Sequence, residues 1–525
     1  GPRTPQEEVL CSLFAEVLRV ERVGIDESFF ELGGDSIRSI QLVSRARKAG
    51  LIISARDVFQ HQTVEALATV AAPVAGSAAA VGAGASGIGE FAPTPIMRWL
   101  LERCGAIRDF SQAMLLQTPA ALNAEHLSAA LQAVLDGHDM LRARLRRDGG
   151  EWAVEVRAAG TVPVGGVLSR VDLAGLDESD RRKGIAEHSR AAMLRLDPEA
   201  GTVLQAVWFD CGAEEPGLLL LMAHHLVVDG VSWRIIVPDL QAAWEAARNG
   251  DAAVVERVGT SFRHWAQLLG EEARKPSREA EVARWQELLS TPDPLLSARP
   301  LDPAHDMAGS AGRLSVSLPP AVTELLLGRI PALVHGGVND VLLTALGMAV
   351  AEWRQRRRPG SETAVLIDVE GHGREELFEG TDLSRTVGWF TTLYPVAVDA
   401  GSAADVGDAL KRVKEQLRAV PGNGLGYGLL RYLNAEAAGL LTGLGAPQIA
   451  FNYLGRFAAP SAQDWGPAVE SGVVGGGGSD PLMPLDHAIA LNAMTHDGAD
   501  GPTLVANWSW AGELFGEGEI RELAE

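Results

Sequence analysis

LLLLMAHHLVVDGVSWR, residues 218–234, holds the pattern from which the rest of the chain is read. Residues 218–223 form an apolar run of the kind expected for a strand buried on both faces. The run ends in two consecutive histidines, then a turn at Asp229-Gly230, then Ser232, placed to cap a following helix. Consecutive strand side chains point to opposite faces, so His224 and His225 cannot both line one cavity. One of them is expected to act on a substrate and the other to hold the loop. A lone histidine is commonly a satisfied core residue, but a tandem pair at a strand end closed by Asp-Gly is not a common core pattern. Pro238 falls inside the next helical pattern, where its missing N–H is expected to kink the helix or delay its start.

Outward from this stretch, predicted helices (residues 126–135, 181–194, 322–330 and 339–353) alternate with predicted strands (114–117, 202–209, 218–223, 364–369, 393–398, 448–452 and 504–510). This is an α/β domain, too long for one simple lobe. Ahead of it, residues 71–89 read AAPVAGSAAAVGAGASGIG, small and uncharged, which is the composition of a linker. The residues before the linker pattern as a small helical bundle. Thr4, Pro5 and Glu7 open the first helix as N-cap, first helical residue and capping-box partner, and Val9, Leu10, Leu13, Phe14, Val17 and Leu18 form its apolar stripe. A second helix is predicted from Ser36 to near Gly50, and a third from near Thr63 with Val64, Leu67 and Val70 inside.

The chain has 525 residues, enough for two to four domains at about 100–200 residues each. Its 46 Lys and Arg against 68 Asp and Glu leave a net charge of −22, which repels phosphate backbones and anionic lipid. Neither nucleic-acid nor membrane binding is expected, and no apolar run approaches the 18 or more residues of a bilayer span. Three scattered cysteines, Cys11, Cys104 and Cys211, make neither a disulfide framework nor a structural zinc site, and each is expected to be a small buried residue. With Gly1-Pro2 resembling a protease-cleavage scar, the expectation is a piece of a larger cytoplasmic protein.

ELGGDSIRSIQ, residues 31–41, carries the second chemical signal. Ser36 can be read as a plain N-cap. Two glycines ahead of it, however, leave its hydroxyl at an uncrowded helix N-terminus, where the helix dipole favours a phosphate. In a small helical bundle beside a flexible linker, this resembles the attachment site of a peptidyl carrier protein from nonribosomal peptide synthetases. The resemblance implies 4'-phosphopantetheine on Ser36. Asp35 resembles the variant of carriers that serve epimerization domains, and with Arg38 it is expected to tune docking on the neighbouring domain.

The histidine stretch resembles the active-site motif shared by condensation and epimerization domains and related acyltransferases. That resemblance implies that His225 faces a channel, that His224 is structural, and that Asp229, beside Gly230, buttresses the loop through an arginine such as Arg385. VEGHGREEL from Val369, SRTVGWFTTLYPV from Ser384, PGNGLGYG from Pro421 and IAFNYLG from Ile449 are similar to epimerization-domain motifs in order and spacing. PTPIMRWLLE from Pro93, HDMLRAR from His138 and NDVLLTALG from Asn339 fit the same pattern. Met97 and Leu100 stand where the family commonly has Gln and Phe, a departure expected to affect packing at the domain entrance. The implied organisation is a four-helix carrier over residues 1–72, a linker over 73–90, and a large α/β domain of two lobes built like chloramphenicol acetyltransferase, residues 91–270 and 271–525, forming a V-shaped pseudo-dimer.

Inverting a carbon next to a thioester carbonyl requires removing a proton from one face and returning one to the other, so two groups must flank it. Glu370, at the end of a predicted strand, is the expected partner of His225, with a pKa raised by desolvation. Either can be the group that takes the L proton. Tyr453 offers a phenol that could donate a proton or hydrogen-bond the enolate oxygen, with a core tyrosine as the plain alternative, and Asn452 is its neighbour in the same role. One such donor is typically worth about 3–4 kcal/mol. Three signals are set aside. The glycines of residues 422–428 lack the strand-turn-helix unit of a dinucleotide loop, Gly472 to Asp480 reads as a mobile loop, and His372 has no partner at metal-ligand spacing.

The resulting expectation is a carrier–epimerization didomain converting an L aminoacyl or peptidyl thioester to D, with no metal and no nucleotide. Its expected partners are a phosphopantetheinyl transferase, an upstream adenylation domain and a downstream D-selective condensation domain. The alternatives are a condensation domain forming a peptide bond and an inactive scaffold that presents the carrier.

Overall fold

The computed structural model describes the chain apart from residues 19, 35, 74–85, 104–106, 375–376, 402–404, 459–462, 475–476 and 499. Four helices, Pro5–Leu18, Ser36–Lys48, Ala55–Gln60 and Val64–Val70, enclose a small core of Leu10, Phe14, Phe29, Leu42, Val58, Val64 and Leu67. The first helix opens as its sequence requires. Thr4 Oγ1 accepts from Glu7 N at 3.1 Å, while Glu7 Oε2 accepts from Thr4 N at 3.2 Å. The short helix Ala55–Gln60, capped by Ser54, has too few turns to show a period and escaped the sequence reading. Most of the expected linker, and Asp35, lie outside the described residues. At its near end, Ala72–Pro73 pairs with Leu51–Ile52; at its far end, Gly89–Phe91 is already a strand paired with residues 154–156.

The large domain has two principal sheets whose burial differs. The first runs in the order Gly477–Gly478, Ser111–Ala120, Pro216–His224, Leu204–Asp210 and Leu168–Asp172. Helices Ala124–Gly137 and Gly230–Arg248 cover one face through Leu127, Leu131, Ile236 and Leu240, and helix Glu178–Leu194 covers the other through Ile185 and Ala192. With both faces buried, every position from Leu218 to His224 must be uncharged and enclosed, hence the unbroken apolar run. Helix Gly230–Arg248 runs unbroken past Pro238. The reciprocal cap of Asp229 and Ser232 starts it well ahead of the proline, so Pro238 does not delay its start.

The second sheet has six strands in the order Ala311–Leu318, Gly501–Ala511, Ile489–Gly498, Ile449–Ala458, Val365–Gly371 and Thr392–Val398. Helices Val338–Arg357 and Val406–Arg418 cover one face, packing Leu346, Val350 and Val413 on Ile367, Phe451 and Ile489. The other face carries a cross-strand row of Asn452, Asn492, Asn507 and Ser315, held opposite one another by register. The helix predicted over 322–330 is present as a continuous helical segment from Pro320 to Leu333 that widens to a π-type turn over Leu325–Arg329.

The second half of the chain also invades the first. Val387, Trp389 and Phe390 belong to the core of the first lobe. Residues 472–480, expected as a mobile loop, instead carry the end of helix Ser471–Val474 and the strand Gly477–Gly478, which pairs with Gln112 and Ser111. Gly477 has φ +132°, and a Cβ there would lie 2.0 Å from the carbonyl oxygen of Ser111, so only glycine permits this approach. Among the described residues, no single helix is long and apolar enough to cross a membrane. Gly477→Val is expected to cost about 2 kcal/mol or more. The check is a lower midpoint in chemical denaturation, together with hydrogen exchange that accelerates over 471–480 before it does in the second sheet.

Candidate active site

His224 and His225 part company at the end of strand Pro216–His224. His224 is fully buried, its Nε2 donating to Ile107 O at 2.8 Å and its Nδ1 accepting from Leu226 N at 3.1 Å. Burial pulls its pKa down to about 4, so it stays neutral. His225, one residue on, is partly exposed. Its ring stacks on Phe110 at 4.9 Å and meets Trp389 at 4.5 Å. Desolvation holds its pKa below the ordinary histidine value. His225 Nε2 lies 2.9 Å from Gln112 Nε2, and Gln112 Oε1 accepts from Trp233 Nε1 at 2.8 Å.

Asp229 ties this loop to the other lobe, but not through Arg385. Its Oδ1 accepts from Ser232 N at 2.7 Å and from Ser232 Oγ at 2.8 Å, and its Oδ2 accepts from Phe390 N at 3.2 Å. The arginine that meets it is Arg374, with Nη2 at 3.1 and 3.2 Å from the two carboxylate oxygens. Arg374 also donates through Nη1 to the carbonyls of Leu383 (2.9 Å) and Thr386 (2.7 Å) and lies over the Phe390 ring. Arg385 is drawn instead to Asp239, at 2.7 and 2.8 Å, and Asp239 also receives His138 Nε2 at 2.9 Å. Sequence spacing cannot separate two arginines eleven residues apart. The fully buried carboxylate takes the arginine whose other donors find buried carbonyls. Gly230 is the first residue of the helix, and a side chain there would meet nothing within 4 Å.

Glu370 lies on strand Val365–Gly371, on the sheet face away from the helices. Its register partner on the next strand, Leu393, packs against the core of the first lobe, so this face turns toward the lobe bearing His225. Burial pushes the Glu370 carboxyl up to about 7, with His487 opposing the rise and Asp368 adding to it. Asn452 Nδ2 donates to Glu370 Oε2 at 2.8 Å. Asp368, two residues back on the same face, meets His487 Nε2 at 2.8 Å.

Tyr453 departs from its expected place. Strand alternation directs it away from Asn452, its hydroxyl lies 3.0 Å from Thr495 Oγ1, and its ring packs on the helix-covered core. Its ring is half-buried and its hydroxyl is partnered, as in the plain alternative. His372 Nδ1 accepts from Arg374 N at 3.0 Å and so shapes the turn that delivers Arg374. Met97 and Leu100 are fully buried in the first lobe's core. Gln112, Trp233, Arg374 and the Asp368–His487 pair escaped the sequence reading. Of these only Arg374 had a visible signal, the Gly-His-Gly turn just before it.

In the carrier, Ser36 opens helix Ser36–Lys48. Gly33, at φ +94°, and Gly34, where a Cβ would come within 2.3 Å of the Phe29 ring, make the tight turn before it. A helix start reached through two bare glycines suits a phosphodiester on Ser36. This loop meets the second lobe. Arg38 Nη1 donates to Gly33 O at 2.6 Å and its Nη2 is 3.9 Å from Asp497, which Arg456 also holds, at 2.6 Å. Among the described residues, no group of His, Cys, Asp and Glu could hold a metal ion.

A helical carrier joined to a two-lobed α/β domain with a histidine at the junction of its lobes is the architecture of nonribosomal peptide synthetase components. The chain belongs to the condensation-domain family: residues 98–518 match the condensation domain, and residues 8–71 match the phosphopantetheine attachment site. It is 38% identical to chondramide synthase cmdD of Chondromyces crocatus over 100% of this chain, and 37% identical to a linear gramicidin synthase polypeptide of Brevibacillus parabrevis over 99% of it. It spans only 13% and 10% of those proteins. Among solved structures it is similar to the epimerization domain from the third module of tyrocidine synthetase B, with 30% identity and TM-score 0.73 over 83% of this chain and 95% of that one. The X-domain from teicoplanin biosynthesis, 20% identical with TM-score 0.60, shares the fold over 83% of this chain and 92% of that one.

Asp229→Ala strands a buried guanidinium and is expected to lower stability by about 3–5 kcal/mol. Arg385→Ala, which leaves the buried Asp239 carboxylate its contact with His138, is expected to cost less, about 1.5–3 kcal/mol. Denaturant titration of the two variants checks the order.

Proposed function

We propose that the large domain inverts the α-carbon of an aminoacyl or peptidyl thioester attached through Ser36, interconverting the L and D forms. The observation that carries this reading is the half-buried Glu370 carboxyl, raised toward neutrality by desolvation on the sheet face turned toward the lobe of His225. Peptide-bond formation can be served by one base near the acceptor amine, whereas inversion needs a second proton-transfer group on the other side of the carbon. The similarity to a solved epimerization domain supports the same reading. Phosphopantetheine on Ser36, when bound, supplies the thiol on which the acyl group is held as a thioester.

In one sense of the reaction, His225 takes the α-proton while protonated Glu370 delivers one to the opposite face. The C–H electron pair moves onto the carbonyl oxygen as the proton leaves. It returns to Cα as the Glu370 O–H bond breaks, leaving the carboxylate. His225 is then protonated and Glu370 ionised, and the opposite sense starts from that state. Exchange of both protons with water resets the pair and brings solvent hydrogen into the product. Asn452 holds the carboxyl through its 2.8 Å hydrogen bond. Tyr453 acts through packing and not on the substrate. A phosphopantetheinyl transferase, an upstream adenylation domain and a downstream D-selective condensation domain complete the proposed setting.

The test is to load Ser36 with an L-aminoacyl phosphopantetheine and incubate in deuterium oxide without an acceptor. D product carrying α-deuterium is expected, falling by about 100-fold or more in His225→Ala and in Glu370→Gln; Tyr453→Phe is expected to retain most of the rate. Deuterium-free L product from several amino acids, with a peptide bond formed once an acceptor is added, would make the domain a condensation catalyst. No reaction in either assay would make it a scaffold.

The two groups must share one proton in either sense of the reaction, so the exchange rate is expected to be bell-shaped in pH. Its acid limb should lie below the ordinary histidine value and its alkaline limb near the Glu370 pKa of about 7. An alkaline limb that persists unchanged in Glu370→Asp would remove Glu370 from that assignment.

A further inference from the structure

We infer that Gln112, clamped by Trp233, is a positioning residue that fixes His225 as the Nδ1–H tautomer and holds the Nε2 lone pair through its amide N–H until the substrate displaces that bond and Nε2 exchanges the proton. The inference deepens the proposed function and, in naming the exchanging atom, rests on it. An indole N–H can only donate. With Trp233 Nε1 at 2.8 Å, the Gln112 oxygen must be the end that faces it, and the amide NH2 is left facing His225 Nε2 at 2.9 Å. An amide nitrogen does not accept, so Nε2 carries a lone pair and the ring proton sits on Nδ1. The flipped amide would set NH2 against the indole N–H and lose its bond to Trp233. Nδ1 is buried and makes no hydrogen bond among the described residues.

The ring and the backbone that carries the amide are both restrained. Phe110 and Trp389 restrain the imidazole, and the Gln112 backbone is paired to Ala223 on one side and to Gly477 of the crossover strand on the other. The neighbouring histidine holds the opposite tautomer, because His224 spends its Nε2–H on Ile107 O. Among the described residues, the titratable groups that act on the His225 ring are Asp229, already paired with Arg374, and neutral His224. When Nε2 gains a proton it meets the Gln112 NH2 donor to donor. The imidazolium is thereby disfavoured and the proton is readily released. Gln112 thus acts on the substrate only through His225.

The experiment compares wild type, Gln112→Glu, Gln112→Met and Trp233→Phe as full chains carrying an L-aminoacyl phosphopantetheine. It uses nitrogen NMR of ring-labelled histidine, assigned through His225→Gln, and the pH profile of α-deuterium exchange. Wild type is expected to show the Nδ1–H tautomer. Gln112→Glu, which places a carboxylate against Nε2, is expected to move the acid limb up by about one pH unit or more. Gln112→Met and Trp233→Phe are expected to mix the tautomers and slow exchange by about tenfold or more. An Nε2–H signal in wild type, or an acid limb unmoved in Gln112→Glu with its fold intact by circular dichroism, would overturn the inference. If the Nδ1–H tautomer is found but no variant or wild type exchanges the α-proton, the tautomer assignment stands and the proposed function fails.

Discussion

The buried ion pair of Asp229 and Arg374 is the constraint on which the site depends. Burying a carboxylate and a guanidinium costs several kcal/mol each unless their hydrogen-bonding capacity is met. Here the carboxylate and both terminal nitrogens of the guanidinium are partnered, from both lobes, while Arg374 Nε makes no hydrogen bond among the described residues. Asp229 caps the helix that follows the histidines and also accepts from Phe390 N, while Arg374 reaches the Leu383 and Thr386 carbonyls. The histidine loop therefore cannot shift without stranding a charge that belongs to the other half of the chain. The same bonds fix the 383–390 segment, which brings Trp389 against His225 and leads into the strand opposite Glu370.

The two sheets divide the chemistry according to how they are buried. The central strand of the first, Pro216–His224, is enclosed on both faces, and the residue just past its end, His225, is where that run leaves the core. The second is helix-covered on one face only, which lets its other face carry Glu370, Asn452, Asn492 and Asn507. The Glu370 carboxyl on that face is half-buried and bonded to the neutral amide of Asn452, so it is partly dehydrated with no cation paired to it among the described residues. That is the environment that raises its pKa toward neutrality.

The legible parts of the sequence were those written in short-range periods. The strand at 218–223, the capping box of Thr4 and Glu7, and the helix start at Ser36 each follow from neighbours a few residues apart. Strands Ala311–Leu318 and Ile489–Gly498 were missed, the first although Arg313 to Leu318 alternate polar and apolar, the second because Asn492 and Met494 sit on the open face. Glu370 and Asn452 stood out as residues, but their 2.8 Å contact crosses 82 positions of sequence.

By itself the sequence determined that a small helical carrier with a serine at a helix start precedes a large α/β domain, and that one histidine of the tandem pair points away from the other. Strand alternation and helix capping are local, so they survive without knowledge of the fold. Only the tertiary structure decided that Arg374 and not Arg385 meets Asp229, that Tyr453 turns to Thr495, that glycines 477 and 478 close the first sheet, and that Gln112 meets His225. Each of these depends on register or on lobe-to-lobe contact, where one residue's shift moves a side chain to the other face, and no local period records it.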